Sequence, residues 1–423
     1  MRQMDVPNVL WITVDALRRD GLSCYGDGRH ISPFIDGLAE QAIVYDRAFA
    51  TAPWTLPSVA SMFTGLYPSE HGAVDERSRL RSGVPTVADV ARRHGYDTAI
   101  VTQNDGWITP VYGLTRGFDR VYDLDAMVGD VGGFSFGSRR LQLMWRGFCK
   151  YLAGYRRVTL SCFRRLMTEM ERPFFVYVHL MDTHLPYEPR SLLPFFSFFR
   201  RMVLYRDWKR KMRETWTDEY VFSGREMQLL RRFYMAAARQ VDAHIRRLVS
   251  LAGDNTVVIV TADHGEHLDR TFLGHQFSFA DDVLAVPLIV YHPRMEPRHV
   301  KGLFEMKDIF RLLQQLFEGD VIEDLCERDY VYGESRELGP VYEKLSRRNP
   351  SLARGGSYLR TKKVKYLNLL NDKNFLYHVN GEEKIFKNKK ALRIMKDLMA
   401  IKKKQFSRRD AAIEKASGGI QDE

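Results

Sequence analysis

The stretch NVLWITVDALRRDGLSCYG, residues 8–26, decides the fold class of this chain. Its first part, Val9–Val14, is a continuous apolar run of the kind found in strands buried on both faces. The run stops at an acid, Asp15. Three further runs have the same character: Thr98–Thr102, Phe174–Leu180 and Thr256–Thr261.

Segments with helical patterns separate these strands, at residues 32–42, 85–95 and 224–252, and the last of them is amphipathic. The first begins with Ser-Pro, and the second runs from a proline to a glycine, which are common signals at helix ends. Strands that alternate with helices predict an α/β fold with a mostly parallel central sheet flanked by helices. In such sheets ligands bind at the carboxyl ends of the strands.

The pattern changes after Pro293. A helix is predicted near Lys307–Phe317, followed by a short strand, YVYGESRE, and by two segments that alternate like antiparallel strands. These segments, SYLRTKKVKYLNLL and KNFLYHV, predict a small C-terminal α+β subdomain.

Composition excludes several protein classes. With 423 residues, of which 45% are hydrophobic, the chain is neither disordered, collagenous nor a coiled coil. Its four cysteines, at irregular spacing, form neither a disulfide framework nor a CxxC site, which favours a reducing compartment. We see no signal peptide and no membrane-spanning run in the sequence, so a cytoplasmic location is expected.

The net charge of +11 is unevenly placed. Residues 139–172 carry nine basic and two acidic side chains, residues 190–213 eight and one, and residues 360–423 seventeen and eight. An acidic body therefore carries basic patches. The segment 190–213 mixes phenylalanines with basic residues, which suits peripheral contact with an anionic membrane, although a helix that packs its aromatics on the core is an alternative. No motif supports specific binding to nucleic acid.

Acids and an imidazole follow two of the predicted strands: Asp15 after the first, and Asp263 with His264 after the last. Each alone could be a turn or a helix cap. Together, two carboxylates and an imidazole at strand ends provide ligands that suit Mn, Zn or Mg.

A hydroxyl in TAPWTLPSVASMFTGLYPSEHG, residues 51–72, completes this constellation. Thr55 precedes Pro57 at the start of a helix of small residues. It could simply cap that helix. Alternatively, a hydroxyl at a helix N-terminus facing a divalent cation is poised to ionise and attack phosphorus or sulfur.

Six strings in this order resemble the sulfatase branch of the alkaline phosphatase superfamily, over about residues 6–295. They are NVLWITVDALRRDGLSCYG, SPFIDGLAEQA, TAPWTLPSVASMFTGLYPSEHG, HLMDTHLPYEP, VIVTADHGEH and GHQFSFADDVLAVPLIVY. The resemblance implies one active site with a bound divalent metal, and a nucleophile that attacks a sulfate or phosphate ester in line through a covalent intermediate.

The resemblance implies metal ligands, a nucleophile and substrate-facing histidines. The metal ligands are Asp15, Thr55, Asp263 and His264, with Thr55 also the nucleophile. His184 and His275 resemble the substrate-facing histidines that hold ester oxygens and protonate the leaving group, a task that suits imidazole near neutral pH. Independently of the resemblance, Asn104 follows a predicted strand in VTQNDGW and is a weaker candidate for a substrate contact, with a simple loop asparagine as the alternative. Three more histidines are expected to be structural: His71, His179 and His267.

The chain departs from true sulfatases at the nucleophile. Those enzymes carry Cys or Ser followed by x-Pro-x-Arg, whereas here the string is Thr55-Leu56-Pro57-Ser58-Val59. Threonine cannot give the formylglycine aldehyde, so no formylglycine is expected. The pair Asp263-His264 replaces the usual Asp-Asn, which favours Mn, Zn or Mg over Ca. The combination resembles phosphotransferases and phosphodiesterases of the superfamily, including the lipoteichoic-acid synthase type.

The expected function is therefore a metal-dependent hydrolase or transferase of phosphate or sulfate esters, with phosphoesters preferred on chemical grounds. Two alternatives are a sulfatase that acts without formylglycine, and a non-catalytic member of the family that binds a polyanion or a membrane surface. The expected organisation has a catalytic domain at 1–295 with basic helical insertions at about 126–172 and 190–222. The small subdomain at 296–380 and a basic helical tail at 381–423 follow it, and the tail is a second candidate for membrane contact.

Overall fold

The computed structural model describes residues 6–26, 30–123, 155–185, 187, 206–215, 219–270, 272–276, 278–319, 322, 328–336, 355–369, 374–380, 382–385 and 392–400. The segments 124–154, 188–205 and 401–423, which contain much of the expected insertions and tail, lie outside the described residues. Two of the cysteines are described, Cys24 and Cys162, and both are free.

An eight-stranded sheet forms the centre of the molecule. In chain order its strands are β1 (Asn8–Val14), β2 (Ile43–Tyr45), β4 (Asp97–Thr102), β5 (Arg120–Asp123), β6 (Phe174–Leu180), β7 (Thr256–Ala262), β11 (Leu288–Tyr291) and β12 (Arg298–Val300). Their order across the sheet is β12-β2-β11-β7-β1-β6-β4-β5. The neighbours from β7 to β5 run parallel, and β11 runs antiparallel to both β7 and β2.

The predicted strands are confirmed within a residue or two. Every residue of β1, β6 and β7 is buried, as expected for continuous apolar runs covered on both faces. The described α-helices are Pro33–Ala39 (α1), Thr55–Thr64 (α2), Pro68–His71 (α3), Val87–Arg93 (α4), Tyr155–Glu169 (α5), Gly224–Ala252 (α6), Asp281–Leu284 (α7) and Ile309–Glu318 (α8). Residues 206–215 and 392–400 are also helical.

The longer helices flank the central sheet in two groups. One contains α1, α5 and α6, and the other contains α2, α4 and α8. Apolar side chains of both groups join the strands in one hydrophobic core. The α/β prediction with a mostly parallel central sheet is therefore confirmed.

Three smaller sheets complete the described structure. The first contains β3 (Ala48–Phe49), β10 (Ala285–Val286) and β13 (Phe304–Glu305), and the second is the hairpin of β8 (His267–Leu268) and β9 (Leu273–Gly274). The third, called here the C-terminal sheet, contains β14 (Tyr330–Ser335), β15 (Gly356–Thr361), β16 (Val364–Leu369), β17 (Asn374–Asn380) and β18 (Glu382–Ile385). Its neighbouring strands are all antiparallel, as the alternating sequence pattern predicts.

Described residues beyond position 295 also pack with the central sheet. β12 pairs with β2 in the central sheet, and α8 places Ile309, Leu312 and Leu316 in the main core. The domain organisation expected from the sequence stays a prediction. The separate sheet begins at β14.

A buried histidine fixes α2 at its first turn. The Nδ1 atom of His71 accepts a hydrogen bond from the backbone N–H of Ala73 at 3.1 Å, so this nitrogen carries no proton. Its Nε2 lies 3.2 Å from the carbonyl oxygen of Pro57 and 3.1 Å from the hydroxyl of Ser61, both in α2. The ring is fully buried and neutral, which agrees with its expected structural role. Burial lowers the pKa of His71 from 6.5 to about 3.

We predict that His71 makes the fold sensitive to acid. The pKa of His71 in the folded state lies below its value in the unfolded state, so the unfolded chain binds more protons below pH 6.5. The free energy of unfolding therefore decreases as the pH falls. His71 should lower the free energy of unfolding by about 3 kcal/mol between pH 7 and pH 4.5. Urea denaturation of wild type and His71→Gln at both pH values measures this difference. An equal loss of stability in the two proteins would contradict the prediction.

Candidate functional site

The parallel sheet brings the side chains of Asp15 and Asp263 to one edge. Thr13 of β1 is level with His179 of β6 and with Thr261 of β7, so the residues that follow these strands are neighbours. Asp15 follows β1 and Asp263 follows β7. Because all these strands are parallel, their carboxyl ends meet there, as the sequence predicted.

Three side chains converge on one oxygen of the Asp15 carboxylate. Its Oδ2 accepts hydrogen bonds from the Thr55 hydroxyl at 3.2 Å and from the Asn104 amide at 3.1 Å, and lies 3.3 Å from the His179 Nε2. The other oxygen, Oδ1, has no hydrogen-bond partner. The Asp15 side chain is fully buried, so bulk solvent does not hydrate that oxygen.

Asp263 has the same asymmetry. Its Oδ1 accepts hydrogen bonds from the backbone N–H groups of Ala16 at 3.3 Å and His264 at 2.9 Å, while Oδ2 has no partner. Burial, together with the neighbouring Asp15 carboxylate, raises the pKa of Asp263 well above its usual value. Two buried carboxylates with unsatisfied oxygens are the arrangement that a bound cation stabilises.

A strained turn aims the backbone at Asp263. Ala16 has a φ of 58°, a left-handed conformation that costs a non-glycine residue about 1–2 kcal/mol. The hydroxyl of Tyr234 spans this turn, since it accepts from the Arg18 N–H at 2.7 Å and donates to the Ala16 carbonyl at 2.9 Å. Tyr234 lies on α6 and is almost fully buried, so the long helix holds the Asp15 turn in place.

His264 presents a bare nitrogen to the same point. Its Nδ1 lies 2.8 Å from the carbonyl oxygen of Gly265, which can only accept, so Nδ1 carries the proton. Burial and the nearby His275 hold the pKa of His264 well below its usual value, so the ring is neutral. The lone pair of Nε2 therefore faces the carboxylates, 3.6 Å from Asp15 Oδ1 and 3.5 Å from Asp263 Oδ2.

Thr55 is the first residue of α2, and its hydroxyl does not cap the helix. Its Oγ1 lies 3.2 Å from Asp15 Oδ2 and 3.3 Å from His264 Nε2. The first turn of α2 is anchored by Ser58, which donates to the carbonyl of Asp263 at 2.6 Å. The helix start is therefore tied to the loop that carries Asp263 and His264.

His275 stands beside His264, and His184 stands beside His275. The His275 ring centroid is 4.1 Å from that of His264 and 5.5 Å from that of His184. The Nδ1 atom of His184 lies 2.8 Å from the Leu185 carbonyl oxygen. The Nδ1 atom of His275 lies 3.0 Å from the buried carboxylate of Glu266. Burial opposes the charge on His275, but Glu266 outweighs it and raises the pKa of His275.

Other predicted residues have additional or different contacts. Asn104 donates to Asp15, and its own Oδ1 accepts from the Trp107 N–H at 2.9 Å, so it orients Asp15; a substrate contact stays a prediction.

His179, expected to be structural, lies in the site, and ligand atoms of Asp15, His179 and Asp263 fall within 4.8 Å of one another. Its place near the end of a strand beside β1 was the available signal. His267 pairs with Asp282 at 2.7 Å, outside this group.

The donor set fits a divalent cation. Two carboxylate oxygens without partners and a bare imidazole nitrogen face one point, and Asp15, Asp263 and His264 are all fully buried. Such oxygen and nitrogen ligands suit Mn, Zn or Mg. Glu266 and Tyr234, which sequence reasoning did not single out, support this group through tertiary contacts and carry no local sequence signal.

Comparison with known proteins identifies the family. The sequence model of the family described as Sulfatase matches residues 7–319. The chain belongs to the sulfatase family. It is thereby an enzyme of the sulfatase branch of the alkaline phosphatase superfamily, as the six strings indicated. Among the described residues no helix is long and apolar enough to cross a membrane.

Curated relatives and solved structures agree with this assignment. The chain is 22% identical to an N-acetylgalactosamine-6-O-sulfatase of Bacteroides thetaiotaomicron, over 75% of this chain and 74% of the relative. It is 24% identical to a choline-sulfatase of Rhizobium meliloti, over 69% and 64%. A phosphonate monoester hydrolase of Silicibacter pomeroyi shares the fold with a TM-score of 0.67 and 20% identity, over 95% of each chain. Another, from Agrobacterium radiobacter, has a TM-score of 0.65 and 21% identity, over 88% and 89%.

We predict that Tyr234→Phe lowers the stability of the protein and its affinity for Mn²⁺ more than the loss of an exposed tyrosine hydroxyl does. The variant leaves the Ala16 carbonyl and the Arg18 amide without the hydroxyl that joins them. A buried polar group without a partner costs about 1–3 kcal/mol, so we expect about 2 kcal/mol lower stability and weaker Mn²⁺ binding. Denaturation and calorimetric Mn²⁺ titration measure both effects.

Tyr112→Phe is the matched control. The Tyr112 hydroxyl donates to the Glu76 carbonyl at 3.2 Å on an exposed loop. Its loss should change neither quantity appreciably. Equal behaviour of the two variants would show that the strained turn at Ala16 does not depend on Tyr234.

Proposed function

We propose that this sulfatase-family enzyme is a metal-dependent hydrolase or transferase of phosphate or sulfate esters that uses the unmodified Thr55 as its nucleophile, with phosphoesters preferred. The observation that supports this most strongly is the position of the Thr55 hydroxyl. This hydroxyl does not cap the helix, and it lies 3.2 Å from Asp15 Oδ2 and 3.3 Å from the unprotonated Nε2 of His264.

The proposed metal ligands are Asp15, Asp263, His264 and Thr55, with His179 close enough to join or to orient Asp15. When bound, a divalent metal of the Mn, Zn or Mg class supplies Lewis acidity, which favours the ionised hydroxyl and offsets charge on the ester oxygens. The two carboxylate oxygens without partners and the neutral His264 support this assignment.

The chain's own residues orient the nucleophile, add positive charge near the ester and donate protons. The Asp15 carboxylate accepts the hydrogen bond of the Thr55 hydroxyl and so orients it for attack. The N-terminus of α2 adds its partial positive charge near the reacting anion. His275, held by Glu266, and His184 are the proposed donors to the ester oxygens and the leaving group.

The chemistry of threonine supports the preference for phosphorus. A sulfated threonine lacks the second hydroxyl by which a formylglycine diol expels sulfate, so its release would be slow. A phosphothreonine can pass its phosphoryl group to water or to another alcohol. The runner-up is a sulfatase that acts without formylglycine, which the sulfatase relatives favour.

The anionic ester is the proposed partner, and the basic segments are the proposed route of approach. Residues 190–213 and the tail would rest on an anionic membrane from the cytoplasmic side. Co-sedimentation with anionic vesicles, comparing the full chain with a deletion of residues 191–213, tests this proposal. Equal sedimentation of the two proteins would contradict it.

We predict that Thr55→Ala abolishes turnover and retains the metal. Loss of the nucleophile should lower kcat by about 10³-fold or more, because no covalent intermediate can form. Metal content by mass spectrometry should remain close to that of wild type, since Asp15, Asp263 and His264 persist. Thr55→Ser should recover part of the activity.

Thr64→Ala is the matched control in the same helix. Its hydroxyl donates to the Ala60 carbonyl at 2.7 Å and does not face the site, so kcat should be unchanged. An active Thr55→Ala enzyme would exclude the proposed nucleophile. Turnover of an aryl sulfate, a phosphate monoester and a phosphodiester, measured side by side with Mn²⁺, Zn²⁺ and Mg²⁺, decides between the two ester classes.

A further inference from the structure

An ion-pair cluster of two buried cations and the partly exposed Asp281 joins the C-terminal sheet to α7. The Asp281 carboxylate lies 2.7 Å from Arg360 Nη2 and 3.3 Å from Lys365 Nζ. Arg360 is on β15 and Lys365 on β16, whereas Asp281 begins α7. The Lys365 ammonium also donates to the Phe279 carbonyl at 2.7 Å.

Because the two cations are buried, each depends on its contact with Asp281. The Lys365 side chain is 0% exposed and that of Arg360 is 9% exposed. A buried charge is tolerated only where opposite charge and hydrogen bonds replace its water. Both cations therefore hold Asp281 in one position, and α7 is fixed to the C-terminal sheet.

From α7 the contacts continue to a proposed metal ligand. The Gly265 N–H donates to the Val283 carbonyl at 2.7 Å, and the Gly265 carbonyl accepts from His264. A side chain at Gly265 has no room, because its Cβ would lie 2.1 Å from the Asp282 carbonyl oxygen. The tautomer and direction of His264 therefore depend on where α7 lies.

The same helix and sheet support the loop before the nucleophile. The Ala50 N–H donates to the Leu284 carbonyl at 2.8 Å, and β10 pairs with β3 directly after α7. From the C-terminal sheet, the Tyr358 hydroxyl donates to the Ala50 carbonyl at 2.6 Å. The Glu334 N–H donates to the Thr51 carbonyl at 2.8 Å, four residues before Thr55.

We propose that Lys365 and Arg360 are positioning residues of the active site, which act through Asp281 and α7 to hold His264 and Thr55 in their reactive arrangement. The C-terminal sheet is thus part of the catalytic scaffold, although none of its described residues hydrogen-bonds Asp15, Asp263 or His264. The inference rests on the proposed function for the roles of His264 and Thr55.

The test compares Lys365→Met with wild type in the full chain. Amide hydrogen exchange should rise selectively in peptides covering 262–268 and 49–56. Because partners beyond the ligands typically contribute 10–100-fold to metal affinity or activity, the Kd for Mn²⁺ should rise about tenfold. We expect kcat to fall by a similar factor with KM little changed.

Arg120→Met is the control for a purely structural role. Arg120 pairs with Asp97 between β5 and β4, at the edge of the central sheet, and it is about one-third exposed. Its loss should lower Tm without changing exchange at 262–268, Mn²⁺ affinity or kcat. A variant that only destabilises the protein would raise exchange throughout.

Arg360→Met keeps the Lys365–Asp281 pair and should show the same changes in smaller measure. It takes the place of Lys365→Met if that variant does not fold. A folded variant with wild-type exchange, Mn²⁺ affinity and kcat would overturn the proposal. Failure of the nucleophile assignment appears separately, as activity in Thr55→Ala, and leaves the exchange result at 262–268 intact.

Discussion

Two carboxylates buried side by side are the constraint on which this structure depends. Asp15 and Asp263 leave the ends of neighbouring parallel strands, and each uses one oxygen for internal hydrogen bonds while the other has no partner. Burying such charge is unfavourable unless a cation or a proton accompanies it. Three features orient groups toward these two carboxylates: the strained turn at Ala16, the tautomer of His264 and the start of α2.

The convergence of Asp15 and Asp263 could be predicted from the sequence because the relevant rule is geometric, whereas their role as metal ligands stays a prediction. Parallel strands end at a common edge, so acids that follow two buried apolar runs converge there. Thr55 followed from its place at a helix start, and His184 and His275 followed from the family resemblance. The central strands and the long helix 224–252 were predicted almost residue for residue.

The supporting contacts could not be predicted, because they join segments far apart in the chain. His179 stands near the end of a predicted strand, but its approach to Asp15 becomes apparent only when β6 is seen beside β1. Tyr234 belongs to the regular apolar face of α6, and nothing local marks its hydroxyl as the partner of Ala16. Likewise, the amphipathic pattern of α8 is the same whichever sheet the helix covers, so its place in the main core could not be predicted from sequence.

Membership of the sulfatase family and the proposed reaction at Thr55 are separate conclusions, and trapping the intermediate tests the second most directly. The enzyme would be quenched in acid during turnover of a phosphodiester, digested and analysed by mass spectrometry. The proposed reaction places a phosphoryl group on the peptide that carries Thr55, and this group should be absent in Thr55→Ala. Full turnover with that peptide unmodified, or an adduct on another residue, would contradict it.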